Sequence, residues 1–183
     1  MKRLALVFSF LVFSQAAFAE VPFQFSAPGL RAPDDPDVNG MRLALLYGEN
    51  HSVRGFDLGL VSLSEAQNLS GFSAVFGLSK VTGDVSGFAG ALINLHSGKD
   101  TGVNAAFVNL IKTLENGANI GFLNIADGHT KLDIGGLNLS DDSAVQIGFL
   151  NITKKITGVQ IGLLNMVENG FLPVFPFFNF PKD

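Results

Sequence analysis

Three histidines, His51, His96 and His129, and two acidic clusters, Asp34, Asp35 and Asp37 with Asp141 and Asp142, are the side chains best suited to acid–base or metal chemistry in this chain. An imidazole metal centre needs ligands that converge, as in H-x-x-x-H or H-E-x-x-H. Here the histidines fall one to a connector and match neither spacing, so exposed turn histidines are expected. The aspartates could touch a hard cation, but neither the EF-hand loop nor the Gly-Gly-x-Gly-x-Asp calcium repeat is present, and solvated loop acids are expected. No Ser lies in G-x-S-x-G, and no Gly-rich loop ends in Lys followed by Ser or Thr. The chain has no Cys. The sequence therefore offers no catalytic, cofactor-binding or metal-binding residue, and a protein that is not an enzyme and uses no cofactor is expected.

Asparagine is the polar side chain that recurs. Asn94, Asn109, Asn124, Asn138, Asn151, Asn165 and Asn179 lie 13 to 15 residues apart, each eighth in a nine-residue phrase best preserved as G-V-Q-I-G-L-L-N-M from Gly158 to Met166. An amide carries both donor and acceptor, so stacked asparagines can hydrogen-bond along their own column. Displayed outward, the same row would be a track for sugars.

The elements that position this row are short. Weaker copies run from Gly87 to Leu95, Gly71 to Ser79, Gly55 to Leu63 and Gly40 to Gly48, the last three with Leu78, Ser62 and Tyr47 in the asparagine place. Leu172 to Phe180 restores the asparagine but carries two prolines, as expected of a capping unit. About ten units of 13–16 residues fill residues 40–180. Each alternates its phrase with a polar connector such as His96 to Thr101 or Thr153 to Thr157. Nine residues and a turn read as strand plus turn, because helices need longer segments and fewer glycines. The fold class expected is all-β.

Within the phrase, positions two, four and six are apolar (Phe72, Ala74 and Phe76; Val159, Ile161 and Leu163) and are expected to face a buried side together with the asparagine. Position three, with Arg42, Asp57, Asn104, Asp133 and Gln160, is expected to face water. Position five is small, and positions seven and nine are again apolar, so a bend near position five is expected. A single unit cannot fold alone: a few buried side chains at roughly 2 kcal/mol each do not offset an ordering cost of about 1–2 kcal/mol per residue.

A length of 183 residues with 47% hydrophobic and 15% charged residues excludes a disordered chain and fits one domain. Lys2 and Arg3 precede an apolar run from Leu4 to Phe13, and Ala17-Phe18-Ala19 before Glu20 has the form of a signal-peptidase site. Residues 1–19 are read as a signal peptide, residues 20–39 as a Pro- and Asp-containing extended leader without repeat register, and residues 181–183 as a tail. Export through the general secretory pathway to the periplasm, outer membrane or cell surface is expected. Removing Lys2 and Arg3 takes the formal net charge from −4 to −6, which argues against nucleic acid as a partner. Stability must come from packing and backbone pairing, because no disulfide can form.

Parallel stacking suits the asparagine row. Equivalent residues of successive coils lie about 4.8 Å apart in a parallel stack, whereas in an antiparallel meander they fall at opposite ends of the sheet. A β-solenoid-like stack is therefore expected, with one or two units per coil. The alternative is an outer-membrane antiparallel β-barrel, favoured by the signal peptide, 18 Phe and the ending Phe177-Phe178-Asn179-Phe180. Against the barrel stand the lack of Trp, the single Tyr, the short connectors and the asparagine row itself.

The phrases Gly158 to Asn165 and Val145 to Asn151, with the closing stretch Gly170 to Phe180, resemble the bacterial surface-repeat proteins first grouped in leptospires and also seen in vibrio-like bacteria. The resemblance covers residues 40–180 and implies an exported β-repeat protein of the cell envelope. A polyhydroxyalkanoate-synthase label attached to some of that group implies a Cys nucleophile, which this chain lacks. The function expected is a non-enzymatic envelope or surface repeat protein with a structural or binding role, its partner an unknown protein, glycan or envelope component. A small outer-membrane pore or adhesin is the alternative.

Overall fold

The computed structural model describes residues 21–182. The signal peptide assigned to residues 1–19 lies outside the described residues. Five strands follow in order: β1 (Val21–Ala27), β2 (Leu30–Ala32), β3 (Asp37–Val81), β4 (Val85–Val167) and β5 (Val174–Asn179). They form one sheet in the order β2-β1-β3-β4-β5.

Straight, the 83 residues of β4 would reach well over 200 Å at about 3.3 Å per residue. They wind instead. Gly71 pairs in parallel with Gly87 and Ser79 with Asn94 across the β3–β4 junction, and the same stacking recurs inside each long strand. The chain is a β-solenoid of stacked coils and not a barrel. A Cβ placed on Gly55, Gly71, Gly87, Gly102 or Gly117 would collide with the carbonyl oxygen of the preceding phrase-opening glycine. One repeat therefore makes one coil, which removes the two-per-coil variant.

These glycines also turn the chain. From Gly40 to Gly117, each residue opening a phrase is a glycine with φ between 115° and 149°, a region disfavoured for residues with a Cβ. They stand 15 or 16 residues apart. Beyond Gly117 the phrases open on Lys131, Ala144 and Gly158, 13 or 14 residues apart, and none of the three has a positive φ. The longer coils thus use a left-handed corner that the shorter ones lack.

The inside and outside of the coil correct the expected faces. Position three is buried along the stack: Arg42, Asp57, Ser73, Asn104, Asn119, Asp133, Gln146 and Gln160 all face inward. Position six is the most exposed, with Phe76, Phe107 and Phe149 at 63–66%. Volume explains the reversal. A coil of some fifteen residues encloses room for small side chains and polar columns that satisfy one another, but not for a phenylalanine in every layer. Inward residues run three, five, eight and ten along the phrase, and the wider step from five to eight marks a corner. Leu60 and Val61, or Leu163 and Leu164, are accordingly exposed side by side there.

Both ends differ from expectation. The segment read as a leader without repeat register contributes β1, which pairs in parallel with β3 through Gln24↔Arg42 and Ser26↔Ala44. At the other end β5 runs antiparallel to β4, with Gln160↔Asn179 and Asn165↔Phe175. The last unit is a cap laid back across the final coil. Two early places also shift: Ser79, one beyond Leu78, pairs with Asn94 after a register slip at Val75 and Leu78, and Gly48 is buried where Tyr47 is not.

Candidate functional site

The asparagine row is an internal ladder. Asn94 Nδ2 donates to Asn109 Oδ1 (2.9 Å), Asn109 to Asn124 (2.8 Å), Asn124 to Asn138 (2.8 Å), Asn138 to Asn151 (2.7 Å) and Asn151 to Asn165 (2.8 Å). The second Nδ2 hydrogen of Asn109, Asn124, Asn138 and Asn151 goes to the backbone carbonyls of Ile120, Ile134, Ile147 and Ile161 at 3.0–3.1 Å. Every bond points the same way along the axis, so the column needs one residue type that donates and accepts at once. Its first acceptor, Asn94 Oδ1, has no protein partner. Asn179 is not part of the column and donates instead to Leu172 O (2.8 Å).

The ladder crowds the residue at position five. A Cβ on Gly121, Gly135, Gly148 or Gly162 would lie within 3 Å of an asparagine Nδ2 beneath it. Where position eight is serine, as at Ser79, position five can be as large as Val75. The preceding backbone carbonyl, 2.1–2.4 Å from the same Cβ, crowds these glycines further, and only the small Ala106 replaces glycine above an asparagine.

A second polar column occupies position three. In the early coils it is ionic: Arg42 donates from Nε to Asp57 Oδ1 (2.8 Å) and from Nη2 to Asp57 Oδ2 (2.7 Å), and it also meets Asn50 Oδ1 (3.0 Å), Glu65 O (3.1 Å) and Ser64 Oγ. Ser64 and Ser73 donate to the same Asp57 carboxylate. Arg42 is completely buried, and such a charge is tolerable only with its hydrogen bonds filled. Later coils use amides: Asn104 donates to Asn119 (3.0 Å), Asn119 to Asp133 Oδ1 (2.9 Å), and Gln160 to Gln146 (2.9 Å). Burial pushes the Asp133 carboxyl above the usual carboxylate range, against the opposing donors Thr130, Asn119 and Gln146.

The histidines separate. His51 Nδ1 lies 3.0 Å from Asp37 Oδ1 and His129 Nδ1 3.0 Å from Asp142 Oδ1, both outside on the connectors. His96 corrects the reading of exposed turn histidines. It is buried in the column of Val81 and Ile111, and Asp100 Oδ2 accepts from its Nδ1 (2.6 Å) and from Asn104 Nδ2 (2.8 Å). His96 Nε2 and Asp100 Oδ1 have no protein partner. The signal that could have placed it is its distance of two residues beyond Asn94, the inward spacing of a strand. Asp34 is held by Arg31 (2.6 Å) and Asp141 by Lys154 (2.6 Å). Among the described residues no group of three or more His, Cys, Asp or Glu could hold a metal ion.

Positions two, four and six make a continuous flank on the outside of the stack. From Met41 to Leu163 none of these positions carries a charge. Phe72 and Phe88 stack at 5.0 Å between ring centroids, and Phe107 and Phe122 at 5.2 Å. Between the position-four isoleucines (Ile134, Ile147, Ile161) and the position-six ridge (Phe149, Leu163) runs a groove of about 820 Å³ floored by Gly135, Gly148 and Gly162. A second groove, about 570 Å³, continues the feature among Leu58, Leu60, Phe76 and Leu92. Ion pairs such as Lys80–Glu65 (3.0 Å), Lys99–Glu115 (2.8 Å) and Lys154–Asp141 lie on the connector side instead. Sequence reading missed this flank because it assigned the same residues to the core. Comparison with protein-family models, curated proteins and solved structures gave no match.

Proposed function

We propose that the chain is a non-enzymatic repeat scaffold of the cell envelope or surface, acting through its uncharged flank. The observation that supports this most is the segregation of side chains on the stack: apolar columns on one flank and, Lys131 apart, the exposed charges of the coils on the connectors. Monomeric soluble proteins rarely expose contiguous apolar patches beyond a few hundred Å². Many of the polar side chains are buried in hydrogen-bonded columns inside the coil, and the histidines outside stand apart from one another. An apolar surface suits a protein or another apolar component better than a glycan.

Fractionation of a tagged chain in a bacterium with two membranes tests the reading. Wild type is expected in the envelope or outside the cell, with Phe107→Ser/Phe149→Ser lost from the envelope fraction while far-UV circular dichroism is kept. Residence of wild type in the cytoplasm, or identical partition of the variant, overturns it.

A further inference from the structure

We infer that the uncharged flank docks a second copy of this chain, ridge into groove, with the two solenoid axes parallel. The inference rests on the reading of that flank as the working surface and names what covers it.

Area gives the first argument. A bare phenylalanine side chain presents roughly 150–250 Å²; Phe107, Phe122 and Phe149 are each more than half exposed, as are Phe56, Phe76 and Leu163. With the leucines and isoleucines between them the flank offers on the order of 1,000 Å², at or above the ~800 Å² per partner of a stable interface.

Chemistry gives the second. A face that enters a bilayer is usually rimmed by Trp, Tyr, Lys and Arg. This chain has no Trp, a single Tyr and a formal net charge of −4, and along the flank's two edges, positions one and seven from Gly40 to Leu164, only Lys131 is charged. A matching apolar sheet meets the flank without such a rim.

Shape gives the third and sets the orientation. Stacked sheets pack about 10 Å apart when their side chains interdigitate. Position six is a ridge, and position five beside it is a trough because its residue faces inward and leaves only backbone at the surface, as at Gly121, Gly135, Gly148 and Gly162. A two-fold axis parallel to the solenoid, placed between ridge and trough, seats the ridge of each copy in the trough of the other. A two-fold axis across the solenoid sets ridge against ridge. The self-complementary solution is the first, and both copies share the same coil pitch along it.

Sedimentation equilibrium of the protein purified from expressing cells without detergent tests this. Twice the chain mass is expected for wild type, and Phe107→Lys/Phe149→Lys should weaken association by about 30-fold or more with unchanged far-UV circular dichroism. Phe107→Ser/Phe149→Ser serves if the lysine pair fails to fold, and Lys154→Glu on the connector side should leave the dimer intact. Because the chain has no Cys, a spin label on Glu168→Cys reads orientation: parallel axes keep the two labels at one end of the assembly. A wild-type monomer at tens of micromolar, a dimer indifferent to the flank variants, labels at opposite ends, or a monomer that floats with phosphatidylcholine vesicles each overturn it. A monomer whose envelope retention still depends on Phe107 and Phe149 would sink the dimer alone, whereas retention indifferent to them would sink the envelope reading.

Discussion

Between Gly40 and Gly117 a coil takes 15 or 16 residues and turns at a left-handed glycine, and the first two coils bury an arginine–aspartate pair; after Gly117 it takes 13 or 14 and turns without one, and its interior continues the amide column that begins at Asn94. The two regions enclose the same kind of narrow interior. The two fillings differ in whether they can be repeated. Arg42 only donates and ionised Asp57 only accepts, so their pair is complete in two coils and Ser73 ends it with a single hydroxyl. Asparagine donates and accepts along one axis, so its column has no natural end until β5 covers it. The same column runs through coils of 15 residues and of 13 or 14, so amide stacking does not depend on which corner the coil uses.

The largest effect expected is at Arg42. Arg42→Met leaves the Asp57 carboxylate buried without its partner and should cost about 3–5 kcal/mol, with amide hydrogen exchange accelerated in the early coils before the later ones. Arg42→Met/Asp57→Leu should recover most of the loss. If the double variant is as unstable as the single one in urea, the ion pair is not what holds those coils together.

Next comes the corner. Gly102 has φ 143°, and a Cβ there would lie 1.8 Å from Gly87 O. Gly102→Ala should therefore cost about 2 kcal/mol or more, since strained backbone costs of order 1–3 kcal/mol per residue before any clash is counted. Lys131→Gly, at the equivalent place in a short coil, should cost less than about 1 kcal/mol, the price of a flexible residue in a strand. Equal losses in thermal melts would erase the distinction between the two corners.

Period and face were not equally legible in the sequence. The spacing of Asn94 to Asn165 implies stacked equivalents because recurrence depends on sequence alone, and the ladder follows from amide chemistry. Which side faces inward does not follow from alternation. Polarity suggested that Phe76 was core and Asp57 surface, and the narrow coil makes the opposite arrangement. Arg42 and Asp57 are 15 residues apart, so their pairing could be found only once one repeat was known to make one coil. Asn179 has the right type and spacing, yet Pro173 and Pro176 cannot donate to a ladder and suit an edge strand laid back across the last coil. The flank was invisible for the same reason as the core: both depend on one choice of phase.

Within the amide region, Asn124→Leu removes a donor and an acceptor from mid-column. It strands Asn109 Nδ2 and Asn138 Oδ1 and should cost about 2–4 kcal/mol, since each buried polar atom left unpaired costs about 1–3 kcal/mol. Gln160→Leu should cost less, because Gln160 Oε1 already has no protein partner. Melting temperatures of the two variants at matched pH check the order, and equal shifts would show that the asparagine column carries no special weight.

The smallest effect concerns Asp133, where the two chemistries meet. It sits in a column of amides as an acceptor for Asn119 and Thr130, and burial raises its pKa above the usual 3.8. Folding therefore favours the protonated form. The stability that this shift contributes is fully present below the unfolded pKa and is lost as pH rises through the higher folded one. At neutral pH the group is a buried carboxylate in a place suited to an amide, and Asp133→Asn supplies a donor and an acceptor of nearly the same shape. Asp133→Asn should raise the melting temperature by a few degrees at pH 7, on the order of 1 kcal/mol, and the gain should shrink as the pH is lowered toward the ordinary carboxylate range. A gain that grows on acidification would reverse the sign and mean that the donors Asn119 and Thr130, not burial, govern this carboxyl.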